Sequence, residues 1–363
     1  MNQDNQKATA PFSCSFSPNV PELMSRLNCT LAITTYQAGK IVFISPKNES
    51  NLVQLPRTFP KPMGIALEEQ GDKMALACKD EITVFKNSKA LAFSYPPKPK
   101  VYDSLYMPRS KYYVGPVDIH DLMWGDDGLY AVNTLFSCIA KIGEDYSFTP
   151  YWKPPFITEI TPEDRCHLNG MAMVNGKPKF ATAFCQGNTA RSWRDVVTTD
   201  GILMDMDSNE VIVPNIPMPH SPRIFNNELF LLLSATGEFV KIQINEGKYD
   251  VICNLNGFVR GMAHIEDYVF IAISKLRENS STFAKLDIAG KSKNAKIMIV
   301  HLPTGSVQGE ITYHTSVDEI YDIQILPNKI RPNIMNSAKE DHKLGVVLPE
   351  STYWAKQNEE AKN

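Results

Sequence analysis

Residues 119–133 read IHDLMWGDDGLYAVN: a polar lead, a few apolar residues, a turn built on Gly and Asp, and a second apolar run, the pattern of a β-hairpin. The pattern returns at 62–78 (PMGIALEEQGDKMALAC), 168–184 (LNGMAMVNGKPKFATAF), 220–234 (HSPRIFNNELFLLLS) and 259–274 (VRGMAHIEDYVFIAIS). A third strand follows each hairpin, at 82–85, 138–142, 202–206, 239–244 and 296–302, and a weaker fourth usually precedes the next lead. Short strands at a regular interval, with almost no amphipathic helix between them, describe four-stranded blades around an axis.

These repeats account for five blades, and the sixth needs both ends of the chain. Residues 319–326 (EIYDIQIL) read as a first strand with nothing after it, while 31–35, 40–44 and 51–55 read as three strands lacking a first. Joining them predicts an all-β, six-bladed β-propeller over 21–335, its ring closed by the C-terminal strand pairing with the N-terminal blade. Closure has a physical motive, since it pairs edges that an open array would leave exposed. A seventh blade would have to come from the Pro-rich stretch 95–116, which lacks the alternation to supply it. Residues 1–20 and the polar stretch 336–363 fall outside the repeat and are expected to be flexible tails. Insertions at 185–200 and 275–295 interrupt blades after their second strands. Long loops inside a regular repeat tend to sit on the functional face.

Composition narrows the classes of function. Of 363 residues, 43% are hydrophobic and 21% charged, ordinary values for a chain that buries a sizeable core. The net charge of -3 gives no basic footprint for phosphates, so nucleic acid is not expected as a partner. The N-terminal MNQDNQKATAP has no apolar signal-peptide core, and no later run approaches the roughly 20 apolar residues that span a bilayer. A cytoplasmic protein without membrane insertion is the expectation. The seven cysteines are scattered with no CxxC pair, which reads as small buried hydrophobes in a reducing compartment.

The geometry of a propeller then gathers the polar residues. The innermost strand of a blade starts at one face of the ring and the second strand returns to it. That puts His120, Asp121, Asn169, His220, Arg260, Glu319 and Asp322 near one mouth of the central channel, with Arg165 and His167 just ahead of a first strand. Loops after second strands add Thr35, Tyr36, Gln37, Asn133, Thr134, Gln186, Asn188, Thr236, Lys275, Arg277 and Glu278. Three readings stay open. The mouth binds a small polar molecule, sugar-like ligand or peptide segment, with His120, Asn169 and His220 as hydrogen-bond partners and Arg260, Lys275 and Arg277 for an anionic group. Alternatively it is a metal-dependent hydrolase or oxidoreductase. His120 and His220 would then bind zinc, iron or manganese with Glu319, or with His167 or another acid, and Glu319, Asp322 or His167 would be the catalytic candidates. The third reading is a protein-interaction scaffold using the broad face and its insertions. No HxH, HExxH, GxSxG or Gly-rich phosphate loop occurs, and Cys166 and His167 need not face each other.

Several stretches also carry a resemblance: IHDLMWGDDGLYAVNTLFSCIAKI, PYWKPPFI through PEDRCHLNGMAM, DGILMDM, MPHSPRIFNNELFLLLSATGE, GFVRGMA, ISKLRE and DEIYDIQILP. Across about Leu27 to Pro332 the chain resembles a bacterial family of conserved hypothetical proteins, some of them associated with tetratricopeptide regions. The resemblance implies a six-bladed propeller and carries no catalytic residue. His264 lies outside the resembling pattern, which weakens any likeness to the four-histidine carotenoid oxygenases. Asn169 and Glu319 loosely echo the metal-binding residues of six-bladed gluconolactonase-type propellers, an analogy of fold alone.

Overall fold

The computed structural model describes residues 10–276, 286 and 288–355. Six sheets surround a central axis, each with its innermost strand contributed by the expected segment. Blade 1 runs outward from Ile323–Pro327 through Cys29–Thr35 and Lys40–Asn48 to Asn51–Thr58. The remaining innermost strands are Ile65–Leu67 in blade 2, Ile119–Gly125 in blade 3, Gly170–Val174 in blade 4, Pro219–Phe225 in blade 5 and Phe258–Ile265 in blade 6. The ring closes as the repeat requires: Cys29 pairs with Pro327 and Ile33 with Ile323, antiparallel, so both ends of the chain share one blade.

Burial follows the position of a strand within its blade. Second strands such as Glu228–Leu233 and Tyr268–Ser274 are apolar along nearly their whole length because neighbouring blades cover both faces. Outermost strands such as Thr149–Trp152 and Lys248–Asn254 are mostly exposed and have no buried residue. The Pro-rich stretch supplies the fourth strand of blade 2, Ser104–Tyr113, after a short helix Lys89–Phe93 whose N-cap Ser88 accepts the Leu91 N–H. Among the described residues no seventh blade forms.

Near the axis the blades alternate. Blades 2, 4 and 6 carry Gly64, Gly170 and Gly261 where their neighbours come closest. A Cβ at Gly64 would lie 3.1 Å from the Asp121 backbone, one at Gly261 3.0 Å from the Asp322 backbone, and one at Gly170 2.4 Å from Pro222 Cδ. Each glycine thus faces an Asp or Pro of the next blade, and the absent side chain lets the two strands touch.

The expected tails are partly structured. Cys14–Phe16 adds an antiparallel fifth strand to blade 6, and Gln54 of blade 1 holds the Phe12 carbonyl with its Nε2 and the Tyr313 hydroxyl with its Oε1. At the other end Pro332–Ile334 lies parallel to Ser104–Tyr113. A hairpin of Gly345–Val347 and Thr352–Trp354 then folds back, with Trp354 5.6 Å from Tyr95 and its indole N–H on Ser94. A few apolar residues within a run of Lys, Glu and Asn suffice for this docking, and composition averages them away. No helix among the described residues is long and apolar enough to cross a membrane.

Candidate functional site

The leads of the innermost strands form two rings at one mouth of the channel. The outer ring includes Asp118, His167, Met218, Phe258 and Glu319, and the ring below it Met63, His120, Asn169, His220, Arg260 and Tyr321. Asp118, His167 and Met218 hold left-handed backbone, with φ of 54°, 51° and 52°, which turns the chain sharply into the strand. Together with Tyr36, Phe184 and Trp193, the residues of the two rings other than Asn169 line a pocket of about 240 Å³. Phe184 directly follows the second strand Lys177–Ala183 and Trp193 sits in the 185–200 insertion, so the insertion does reach this face.

Two imidazoles are fixed in one tautomer each. His220 Nδ1 lies 3.2 Å from the Met218 carbonyl and 2.7 Å from Ser234 Oγ, whose own proton goes to the Val259 carbonyl. His120 Nδ1 lies 3.2 Å from the Asp118 carbonyl. A carbonyl only accepts, so both Nδ1 atoms carry the proton and both Nε2 atoms are left as acceptors. Burial first, and then the charges of His167 and Arg260, hold both rings well below the usual histidine range, so they are neutral at physiological pH.

Opposite charges are matched within the site. Arg260 bonds Glu319 at 2.6 Å and lies 3.9 Å over the Tyr321 ring. Below, Arg223 grips Asp121 through two bonds of 2.8 and 3.0 Å, and both side chains are buried. Asp121 also accepts the Met171 N–H, and Asp322 accepts those of Ile65 and Ile323. Burial pushes the Asp322 carboxyl up to about 6, against the pull of Arg223 and with the repulsion of Asp121. This buried cluster closes the channel beneath the pocket. The gap between them, lined by Asn169, His120 and His220 among others, measures about 10 Å³, roughly one water. Asn169 Oδ1 takes the Thr182 hydroxyl at 2.7 Å, while its buried Nδ2 has no protein partner.

The structure thus brings His120, His167, His220, Arg260 and Glu319 to one pocket, and places Asp121, Asn169 and Asp322 in the layer beneath. Arg165 is elsewhere. It is buried among Glu163 (2.7 Å), Asn188 (2.9 Å) and Thr158, where it ties the 185–200 insertion to the loop before blade 4. Lys275 lies outside the pocket lining, 3.6 Å from Asp318, and Arg277 and Glu278 lie outside the described residues. Of the other loop residues Tyr36 lines the pocket, while Thr134 bonds the Leu168 carbonyl and Asn133 the Phe136 N–H.

The expected metal ligands His120, His220 and Glu319 all line this pocket. Glu319 is held by Arg260, and among the described residues no group of three or more His, Cys, Asp or Glu is placed to hold a metal ion. Nor is Cys166 a nucleophile beside His167: it is fully buried, and burial pushes its thiol up to about 12. Sequence reasoning missed Arg223, Asp164, Trp193 and Tyr321. Arg223 had a signal, since HSPRIF carries extra residues before its strand resumes, and the register shifts between His220 and Arg223. The aromatic residues had none beyond being large.

The fold is similar to solved structures of low identity. One, a nidogen/laminin complex, is 10% identical with a TM-score of 0.49, covering 83% of this chain and 99% of that one. A protein of unknown function from Bacteroides caccae is 10% identical with a TM-score of 0.49, over 82% and 98%. A catalytically inactive virginiamycin B lyase from Staphylococcus aureus with quinupristin is 12% identical with a TM-score of 0.43, over 86% and 97%. No curated protein matches the sequence. The domain of unknown function DUF4915 matches residues 18–335, the whole ring and its closing strand, and the chain belongs to that family.

Proposed function

We propose that the pocket binds a small, neutral, hydroxylated molecule with an apolar face, a sugar-like ligand. The observation that carries this reading is the pair of neutral imidazoles, His120 and His220, each with Nδ1–H committed and Nε2 left to accept. Such a site calls for hydroxyl donors. The walls formed by Tyr36, Phe184, Trp193, Phe258 and Tyr321 suit the apolar face of a ring, and the pocket of about 240 Å³ is of single-ring scale. A carboxylate ligand is less well served, because it would meet the Nε2 acceptors of His120 and His220 and the carboxylate of Glu319, which already pairs with Arg260.

Calorimetric titration with neutral monosaccharides, cyclic polyols and their carboxylate counterparts tests this. Neutral compounds should bind, with His120→Leu and His220→Leu each weakening affinity about 10-fold through a lost hydrogen bond. Binding confined to the carboxylates, or unchanged in both variants, overturns the reading.

A further inference from the structure

The third imidazole of the pocket is built differently from the other two. His167 Nδ1 lies 3.1 Å from each carboxylate oxygen of Asp164, and Asp164 Oδ2 also accepts the Trp193 indole N–H at 3.0 Å. Asp164 as a carboxylate only accepts, so Nδ1 carries the proton of this bond. The ring is clamped by Phe184 at 4.6 Å, Trp193 at 4.3 Å and the edge of His120 at 4.9 Å. Asp164 and His167 both hold left-handed backbone, with φ of 48° and 51°, a conformation that non-glycine residues keep where their surroundings impose it. A carboxylate that fixes the tautomer and aim of an imidazole lining a pocket is the arrangement that serves proton transfer.

We propose that the pocket hydrolyses an ester or lactone of its ligand, with His167 as general base, Asp164 as its positioning residue and Arg260 as partner of the carbonyl oxygen. This rests on the binding reading above. Water gives a proton to His167 Nε2 as its oxygen bonds to the acyl carbon, and the carbonyl electron pair moves onto oxygen beside Arg260. Of the five N–H groups of the Arg260 guanidinium, Glu319 takes one at Nη1. The tetrahedral species re-forms the carbonyl, the bond from carbon to the alkoxy oxygen breaks, and the leaving oxygen takes the proton back from His167. Water is the only co-reactant, and the base ends the cycle as it began.

The probe is p-nitrophenyl acetate, small enough for the pocket. Wild type should show saturable hydrolysis that slows in deuterium oxide. His167→Gln should lose about 100-fold or more of it, and Asp164→Asn about 10-fold or more as the tautomer is lost. His314→Gln, at an exposed histidine bonded to Ser15, should leave the rate unchanged. If His167→Gln does not fold, Asp164→Asn carries the comparison. Wild type no faster than His167→Gln, or an acetyl group trapped on His167 as on a nucleophile, overturns the proposal. Sugar binding by calorimetry without ester turnover defeats this proposal alone, whereas absence of both defeats the binding reading as well.

Discussion

Replacing Asp322 by Asn should change stability in a way that depends on pH. Asp322 is fully enclosed, and Arg223, the cation nearest it in charge, spends its two-pronged bond on Asp121. Burial raises its carboxyl from an ordinary 3.8 to about 6. Because the folded value lies above the unfolded one, the folded protein keeps a proton between about pH 4 and 6 that the unfolded chain has released. Stability from this group is therefore full below that window and falls as pH rises through it. Two pH units correspond to about 3 kcal/mol. Asparagine never ionises, so the loss is absent from the variant. Where Asp322 is protonated the exchange costs little, since a carboxylic acid and an amide each offer one strong acceptor oxygen to the Ile65 and Ile323 N–H groups. Asp322→Asn should thus be close to wild type at pH 4 and become the more stable protein, by up to about 3 kcal/mol, by pH 7.5. Urea unfolding of both proteins at half-unit steps from pH 4 to 7.5 measures the difference. A difference flat to within about 0.5 kcal/mol across that range, or one that moves against the variant as pH rises, refutes the reasoning.

Two further effects follow from the ring itself. Gly170→Ala places a Cβ 2.4 Å from Pro222 Cδ and 2.9 Å from Thr182 Oγ1, so it should cost about 1–3 kcal/mol in urea unfolding, whereas Gly143→Ala, with nothing within 4 Å, should cost far less. Deleting residues 1–17 removes the strand Cys14–Phe16 and bares the outer edge of blade 6 beside the closing seam; the urea midpoint should fall, and sedimentation should show self-association that rises with concentration.

The sequence by itself determined the six blades, the strand that closes them and the face that gathers the histidines. Those features repeat, and a repeat written several times is legible even when each copy is weak: GIA, GMA and GMA at residues 64, 170 and 261 mark the same place in three blades. The family match over 18–335 agrees with that extent. Only the tertiary structure decided what the polar residues do, because each role is set by a partner from another blade. Arg165 and Arg223 look alike in sequence, yet one braces an insertion against Asn188 and the other crosses from blade 5 to Asp121 in blade 3. His120, His167 and His220 differ in what Nδ1 touches: a carbonyl, a carboxylate, and a carbonyl with a serine hydroxyl. A hydrogen bond is specified within a few tenths of an ångström, whereas a repeat specifies only that two segments share a face. The pocket's chemistry lives at the finer of those scales.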